Sequence, residues 1–400
     1  MVDQRILSAV LGRDHSLFEE ALRARAEQLK TAIEDSRILV IGAGGSVGSA
    51  FVQVLSAYNP AALHLVDLSE NSLVSLVREL RADGASLPSE FTTYAIGFDE
   101  PEFEAFLEAQ PQFDYILNFA ALKHVRSERD PYTAMRLLRV NVLANHHLLE
   151  RLAARPPRKY FCVSSDKAVN PASLMGASKS FMERVGLAHA ARVPFGSARF
   201  ANVAFSQGSL LQSFCQRLDN RQPLAGPNDV RRYFISHAEA GELCLLSCFL
   251  GENGEIFTPE MNPERDLKGF PEIAAILLRQ RGLTPVFCNS EADAIARSQA
   301  RNGNHEGWPC FFAPSNTPGE KPFEEFHAAG ERVVQGRLPG VSIVEQPRST
   351  PFGSLESALA RLQSLRRLGA WSLEDLLSLV QAVVPEFHHV GGRVVLDQKL

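Results

Sequence analysis

A chain of 400 residues is too long for one minimal domain, and predicts one large core with a smaller lobe attached. Its 45% hydrophobic and 22% charged residues suit a folded soluble protein. A net charge of -5 gives no reason to expect nucleic acid or a membrane surface as partner. No apolar run reaches the ~18 residues of a membrane helix, and the first residues lack the apolar core of a signal peptide. Of six cysteines, Cys244 and Cys248 share a helix face, but no further ligand follows at metal spacing. Reduced core thiols, no metal site and a cytoplasmic location are therefore expected.

Helical periodicity runs from Ile6 to Glu34, so residues 1–35 are expected to form an N-terminal helical extension. Arg37–Ile41 then reads as a strand, followed by Gly42-Ala43-Gly44-Gly45-Ser46-Val47-Gly48 and an apolar helix from Ala50 to Tyr58. Strand, glycine loop and helix in that order are the context of a dinucleotide fingerprint. Gly42 suits the tight turn, Gly45 lets the backbone approach a pyrophosphate, and Gly48 lets the helix pack on the strand. Ser46 and Val47 lie in the loop that leads into the helix, whose N-terminus offers amides to an anion. A second strand, Leu63–Val66, ends in Asp67. An acid there can hold the ribose hydroxyls and repels a 2′-phosphate, which favours NAD over NADP.

Phe91–Ile96 is the next expected strand and Glu102–Ala109 a helix; Tyr115–Phe119 is the fourth strand. It runs into Ala120, Ala121, Leu122, Lys123 and His124. The two small alanines let the backbone lie beside a dinucleotide, and Lys123 and His124 face the same sheet edge. A helix over Tyr132–Ala153 carries Asn141 on an apolar stripe, either as a hydrogen-bonded core residue or as a brace for the backbone of a site.

Lys159–Val163 reads as a buried parallel strand that stops at Ser164-Ser165-Asp166-Lys167. Ligands of open α/β sheets bind outside such strand ends. Helical spacing resumes from Ser173 to Ala188 and carries Lys179. A hydroxyl, a carboxylate and two amines at one strand end make a candidate proton-transfer site. By itself such a run is only a polar turn; the glycine loop upstream gives it weight.

The alternation then becomes irregular. A strand at Phe195–Phe200 precedes Asn202 and Ser209, a helix spans Leu210–Leu218, and Arg231–Ile235 precedes a helix at Ala238–Leu250. Arg232 is a candidate to grip a phosphate. Arg281–His305 is polar and expected to be a loop, and Pro318–Phe326 a turn that opens a helix. Leu355–Leu368 and Ser372–Val384 are two amphipathic helices. The expected fold is α/β: a Rossmann-like doubly wound parallel sheet with a smaller mixed α/β substrate-binding lobe and helical terminal extensions. The expected boundaries are 1–35, 36–205 for NAD binding, 206–350 for the lobe and 351–400 for the C-terminal helices.

The glycine loop, Ala120–Val125, Ser164–Ala168, Met175–Lys179, Arg199–Val203, Arg232–Phe234 and Pro318–Lys321 occur in order. Together they resemble extended short-chain dehydrogenase/reductase enzymes of bacterial polysaccharide biosynthesis, and more narrowly the 4,6-dehydratases of UDP-N-acetylglucosamine. The resemblance covers roughly Ser36 to Phe326. It implies tightly bound, recycled NAD: hydride leaves C4 of the sugar, a proton leaves C5, the C6 hydroxyl departs as water, and hydride returns to C6. It also implies that Lys179 binds the nicotinamide ribose, Lys167 is the base at C5, Asp166 the acid at C6, and Ser165 a partner of the C4 oxygen. Asn202, Ser209 and Arg232 are then candidates for the nucleotide and its diphosphate, Lys123 for the sugar, and His124 for support of the site.

Two positions depart from the pattern. Met175 stands where the superfamily has tyrosine, and a thioether cannot accept the C4 hydroxyl proton. Some 4,6-dehydratases of the group share the methionine, and the resemblance then implies that Asp166, directly or through Ser165 or a water, does the tyrosine's work. Phe98 stands where relatives have an acid near adenine, with Asp99 as the substitute. A sugar-nucleotide epimerase and a non-catalytic NAD-binding scaffold are the alternatives. The helices over Tyr132–Ala153 and Ser173–Ala188 resemble the pair that forms a four-helix dimer interface, so a homodimer or higher oligomer is expected.

Overall fold

The computed structural model describes residues 3–123, 128, 130–300, 307–315, 320–345 and 353–390. The strands are, in order, β1 (Arg37–Ile41), β2 (Ala62–Val66), β3 (Glu90–Tyr94), β4 (Tyr115–Asn118) and β5 (Lys159–Ser165). There follow β6 (Phe195–Phe200), β7 (Asn202–Val203), β8 (Leu224–Pro227), β9 (Arg231–Ile235) and β10 (Glu255–Pro259). The last are β11 (Leu267–Gly269), β12 (Pro285–Phe287), β13 (Trp308–Ala313), β14 (Arg332–Leu338) and β15 (Val341–Glu345).

Nine of these form one sheet in the order β14-β15-β10-β6-β5-β4-β1-β2-β3. From β3 across to β10 every neighbouring pair is parallel, and β15 and β14 close the far edge antiparallel. The order is doubly wound, and it reverses between β1 and β4, where such sheets open a crevice for ligands. Alternation along β1 divides its side chains between two cores. Leu39 and Ile41 pack with Phe103, Leu138 and Phe181, while Ile38 and Val40 pack with Phe51, Leu63 and Leu245. Burial on both faces explains why these strands are continuous apolar runs.

A third core, around Phe214, Phe234, Ile273, Leu277 and Trp308, holds the lobe together. Its strands form two small sheets, β11-β9-β7 and β12-β13-β8.

Several elements differ from the sequence expectation. The N-terminal extension is not one appendage: helix Gln4–Leu11 puts Ile6, Val10 and Leu11 into the lobe core. Helices Glu19–Ala24 and Ala26–Ile33 instead put Ala21, Leu29 and Ile33 into the core beneath the sheet. The polar stretch expected as a loop after Arg281 contains β12 and a helix, Glu291–Ala300. The turn near Lys321 opens no helix; residues 320–331 run as an irregular strap into β14. The helix expected over Tyr132–Ala153 widens at Arg139–Leu143 into a π turn.

The presumed dimer face is also covered from within the chain. Helices Gly353–Leu368 and Leu373–Val383 bring Leu362, Leu376 and Val380 into the core shared with Leu138, Leu148 and Phe181. Trp371 Nε1 donates to the Pro131 carbonyl at 2.8 Å, and His388 N–H to the Pro171 carbonyl at 3.1 Å. All six cysteines are unpaired, in keeping with reduced thiols. No helix among the described residues is long and apolar enough to cross a membrane.

Candidate active site

A cavity of about 830 Å³ lies along the carboxyl edge of the sheet. One wall is the glycine loop. Gly42 adopts φ 74°, where a side chain is strained, and a Cβ there would come within 2.5 Å of the Ala120 nitrogen. A Cβ on Gly48 would overlap the Gly42 carbonyl oxygen, so the helix Ser46–Leu55 can approach β1 only with glycine at that position. Gly45 caps this helix without a side-chain hydrogen bond, which leaves the first amides at Ser46, Val47 and Gly48 beside the cavity. The Asp67 carboxylate, at the end of β2, accepts from Gly44 N–H at 2.9 Å and from Ser69 N–H at 2.8 Å. A backbone cradle open to the cavity, with an acid at the neighbouring strand end, fits a dinucleotide pyrophosphate and its ribose.

The opposite wall is built from side chains. β5 delivers Ser165, Asp166 and Lys167 in a turn, and helix Leu174–His189 delivers Met175 and Lys179. Ser165 Oγ donates to Asp166 Oδ1 at 2.7 Å, and Lys167 Nζ donates to the same oxygen at 3.1 Å. Lys167 also donates to Asn202 Oδ1 at 3.4 Å. Lys179 is 4% exposed and donates to the Val163 carbonyl at 2.8 Å; burial pushes its ammonium down to about 8. Hydroxyl, carboxylate and amine thus form one hydrogen-bonded chain with the second amine close by, and all four line the cavity.

Of the other expected residues, Ala121, Lys123, Asn202, Ser209 and Arg232 reach the cavity wall. Lys123 Nζ donates to the Gln207 carbonyl at 3.0 Å, and Gln207 N–H donates to Ser46 Oγ at 3.3 Å, which ties the lobe to the glycine loop. Ser209 caps helix Leu210–Asp219. Arg232 is not free in this state: it donates to Glu320 Oε1 at 3.0 Å and to the Lys321 carbonyl at 2.9 Å. His124 lies outside the described residues.

Asn141 and Asp99 stand behind the wall. Asn141 is fully buried and holds both the N–H and the carbonyl of Leu122, at 2.9 and 3.0 Å, and donates to Ser178 Oγ at 2.9 Å. It therefore braces the backbone of the site and does not face the cavity. Asp99 is paired with Arg139 at 2.7 Å, while Phe98 is buried in the core.

Three carboxyls were not singled out from the sequence. Glu128 accepts from Leu174 N–H at 2.5 Å, at the start of the helix that carries Met175, and burial raises it to about 7. Glu320 holds Arg232, and Glu324 is buried beside Lys321, which donates to the Val169 carbonyl just after the Asp166 turn. The sequence marks a turn at Lys321, but only long-range folding brings its acids to this edge.

The fold and these two walls define an extended short-chain dehydrogenase/reductase, a dinucleotide-binding α/β enzyme fold. Residues 38–304 match the family described as polysaccharide biosynthesis protein, and the chain belongs to that family. An uncharacterized membrane protein of Methanocaldococcus jannaschii is 31% identical over 254 residues, 62% of this chain and 73% of its own length. The capsular polysaccharide biosynthesis protein CapD of Staphylococcus aureus is 31% identical over 259 residues, 63% of this chain but only 41% of its own length. Among solved structures, the dTDP-glucose 4,6-dehydratase DesIV of Streptomyces venezuelae, with NAD bound, shares the fold. Its TM-score is 0.57 at 18% identity, covering 83% of this chain and 98% of that one. UDP-glucose 4-epimerases of Rickettsia species match at 27% identity over 56% of this chain and 65% of their own length.

Proposed function

We propose that this chain is an NAD-dependent nucleotide-sugar 4,6-dehydratase acting on a UDP-sugar, with UDP-N-acetylglucosamine the foremost candidate. The observation that carries the reading is the Ser165–Asp166–Lys167 chain, set beside Lys179 on the wall that faces the glycine loop. The dehydratase among the solved neighbours and the polysaccharide family support the substrate class.

The glycine-loop amides would hold the NAD pyrophosphate, Asp67 the adenosine ribose and Lys179 the nicotinamide ribose. NAD supplies a hydride acceptor at the sugar C4 when bound. Ser165 holds the C4 oxygen. Lys167, in its neutral form, takes the C5 proton, and Asp166 gives a proton to the departing C6 hydroxyl. Ser165 Oγ and Lys167 Nζ both donate to Asp166 Oδ1, so a proton can pass between Lys167 and Asp166 without solvent. Met175 lines the cavity and offers no proton acceptor, which places the work of the usual tyrosine on Asp166 and Ser165. Arg232 would exchange Glu320 for the diphosphate as substrate binds.

The test is mass spectrometry of purified protein incubated with UDP-N-acetylglucosamine and no added cofactor. Loss of one water, with a 4-keto product, is the expected result. An unchanged mass with a C4 epimer by NMR would replace this reading with the epimerase that the Rickettsia relatives favour.

A further inference from the structure

The strap at 320–326 carries a carboxyl that the proposed chemistry leaves unused. Glu324 is 6% exposed, yet its Oε2 accepts no hydrogen bond among the described residues. Lys321 Nζ lies 3.6 Å from that oxygen, but donates instead to the Val169 carbonyl at 2.7 Å. A buried carboxylate oxygen without a donor is costly and calls for an explanation.

The strap is pinned in place. Arg231 N–H donates to the Pro322 carbonyl at 2.8 Å, Arg232 Nη1 to the Lys321 carbonyl at 2.9 Å, and Asn170 Nδ2 to Glu325 Oε2 at 3.2 Å. With Lys321 bridging to the Val169 carbonyl, these anchors set Glu324 beside the turn that holds Asp166 and Lys167. The charged groups acting on it there are Lys167, Asp166, Arg232 and Lys321. Burial raises the Glu324 carboxyl; the Lys167 charge opposes that shift and Asp166 adds to it. Asp166 Oδ2 is a second buried oxygen in this cluster with no partner among the described residues. The cluster therefore has proton-accepting capacity that no donor among the described residues fills.

We infer that Glu324 is a positioning residue for proton transfer: its carboxyl, beside the Asp166–Lys167 pair, sets how firmly Lys167 holds its proton. The inference rests on the reading of Lys167 as the base. As a carboxylate, Glu324 adds a second negative charge to the surroundings of the Lys167 ammonium and stabilises it. As a neutral acid it withdraws that support and frees the amine. Glu324 does not line the cavity, so it acts through Lys167 and not on the substrate.

The test reads Lys167 directly and needs no substrate. Wild type and E324Q are labelled with acetic anhydride across a pH series, and the peptide containing Lys167 is quantified against exposed Lys30. Removing a nearby opposite charge disfavours the protonated amine, so Lys167 should label about tenfold faster in E324Q near neutral pH. E324D should restore part of the slow labelling. Equal labelling of Lys167 in wild type and E324Q would overturn the inference. If every lysine in E324Q labels faster, the variant is unfolded, and a second neutral variant, E324M, becomes the deciding comparison: labelling of Lys167 unchanged from wild type at every pH in folded E324M would then count against Glu324. Where dehydration is established, the low-pH limb of kcat/KM should move toward acid in E324Q; a uniform fall in kcat with an unmoved limb would mean that Glu324 is merely structural. The labelling result stands whichever sugar nucleotide is turned over, so its failure is distinct from failure of the dehydratase reading.

Discussion

The two walls of the cavity are made of different material. The glycine-loop wall is backbone: Gly42 to Gly48 are contiguous, and their fit depends on side chains being absent. The opposite wall is side chains from β5, from helix Leu174–His189 and from the strap that begins at Glu320, far along the chain. A backbone wall is set by local geometry and tolerates change around it. A side-chain wall depends on partners that arrive from elsewhere, and it fails when one is lost.

The strongest way to separate the walls is Lys167→Ala. It should lower dehydration about 10³-fold while leaving NAD bound, because general-base groups contribute about 10²–10⁴-fold. Product formation and the cofactor content of the purified variant check both halves. Retained turnover would break the division of labour between the walls.

Arg199→Met tests what holds the side-chain wall. Arg199 is 4% exposed and pairs with Glu183 on the Lys179 helix and with Glu331 at the end of the strap, each at 2.7 Å. Removing it strands two carboxylates, and breaking such a buried set costs about 3–5 kcal/mol. Urea denaturation should show the loss, with larger damage to activity than to NAD affinity.

Gly48→Ala is the matching change in the backbone wall. The new Cβ overlaps the Gly42 carbonyl oxygen and forces the helix away from β1, at about 1–3 kcal/mol of strain. Calorimetric titration should find NAD binding weakened, while the Ser165–Asp166–Lys167 chain keeps its geometry. Unchanged affinity would show that the close approach of helix and strand is dispensable.

The smallest effect is expected at Glu128. Its carboxyl is raised from 4.5 to about 7 in the folded chain, chiefly by burial. The folded state therefore binds this proton more tightly than the unfolded state, and wild type loses stability as pH rises from 4.5 to about 7. Gln at this position has no proton to lose. E128Q should gain on wild type across that window, by about 1–2 kcal/mol after allowance for partial exposure, and hold a constant margin above it. Thermal melts at a series of pH values check this; parallel curves would remove Glu128 from the account.

Much of the side-chain wall was legible because its residues are close in sequence. Ser165, Asp166 and Lys167 are consecutive at a strand end, and Lys179 follows on the next helix, so period and strand polarity were enough to bring them together. Asn141 read as a polar residue on an apolar stripe, with a core and a bracing role both open. The structure gives the geometry of the brace, since the π turn at Arg139–Leu143 aims its amide at Leu122.

The lobe was harder. The polarity of residues 291–300 suggested a loop, but one buried residue, Ala294, suffices to seat that helix. Residues 320–326 looked like the opening of a helix, yet their backbone is drawn out by hydrogen bonds from Arg231 and Arg232.

By itself the sequence determined the parallel core, the glycine loop and the polar strand end, since each rests on short-range period or on the lack of a Cβ. Only the tertiary structure decided that the C-terminal helices cover the Tyr132 and Lys179 helices, that Arg232 is held by Glu320, and that Glu324 is buried beside Lys321. Those contacts join residues far apart along the chain. Local propensity carries no record of them, because burial and charge pairing at such distances are settled only when the whole core closes.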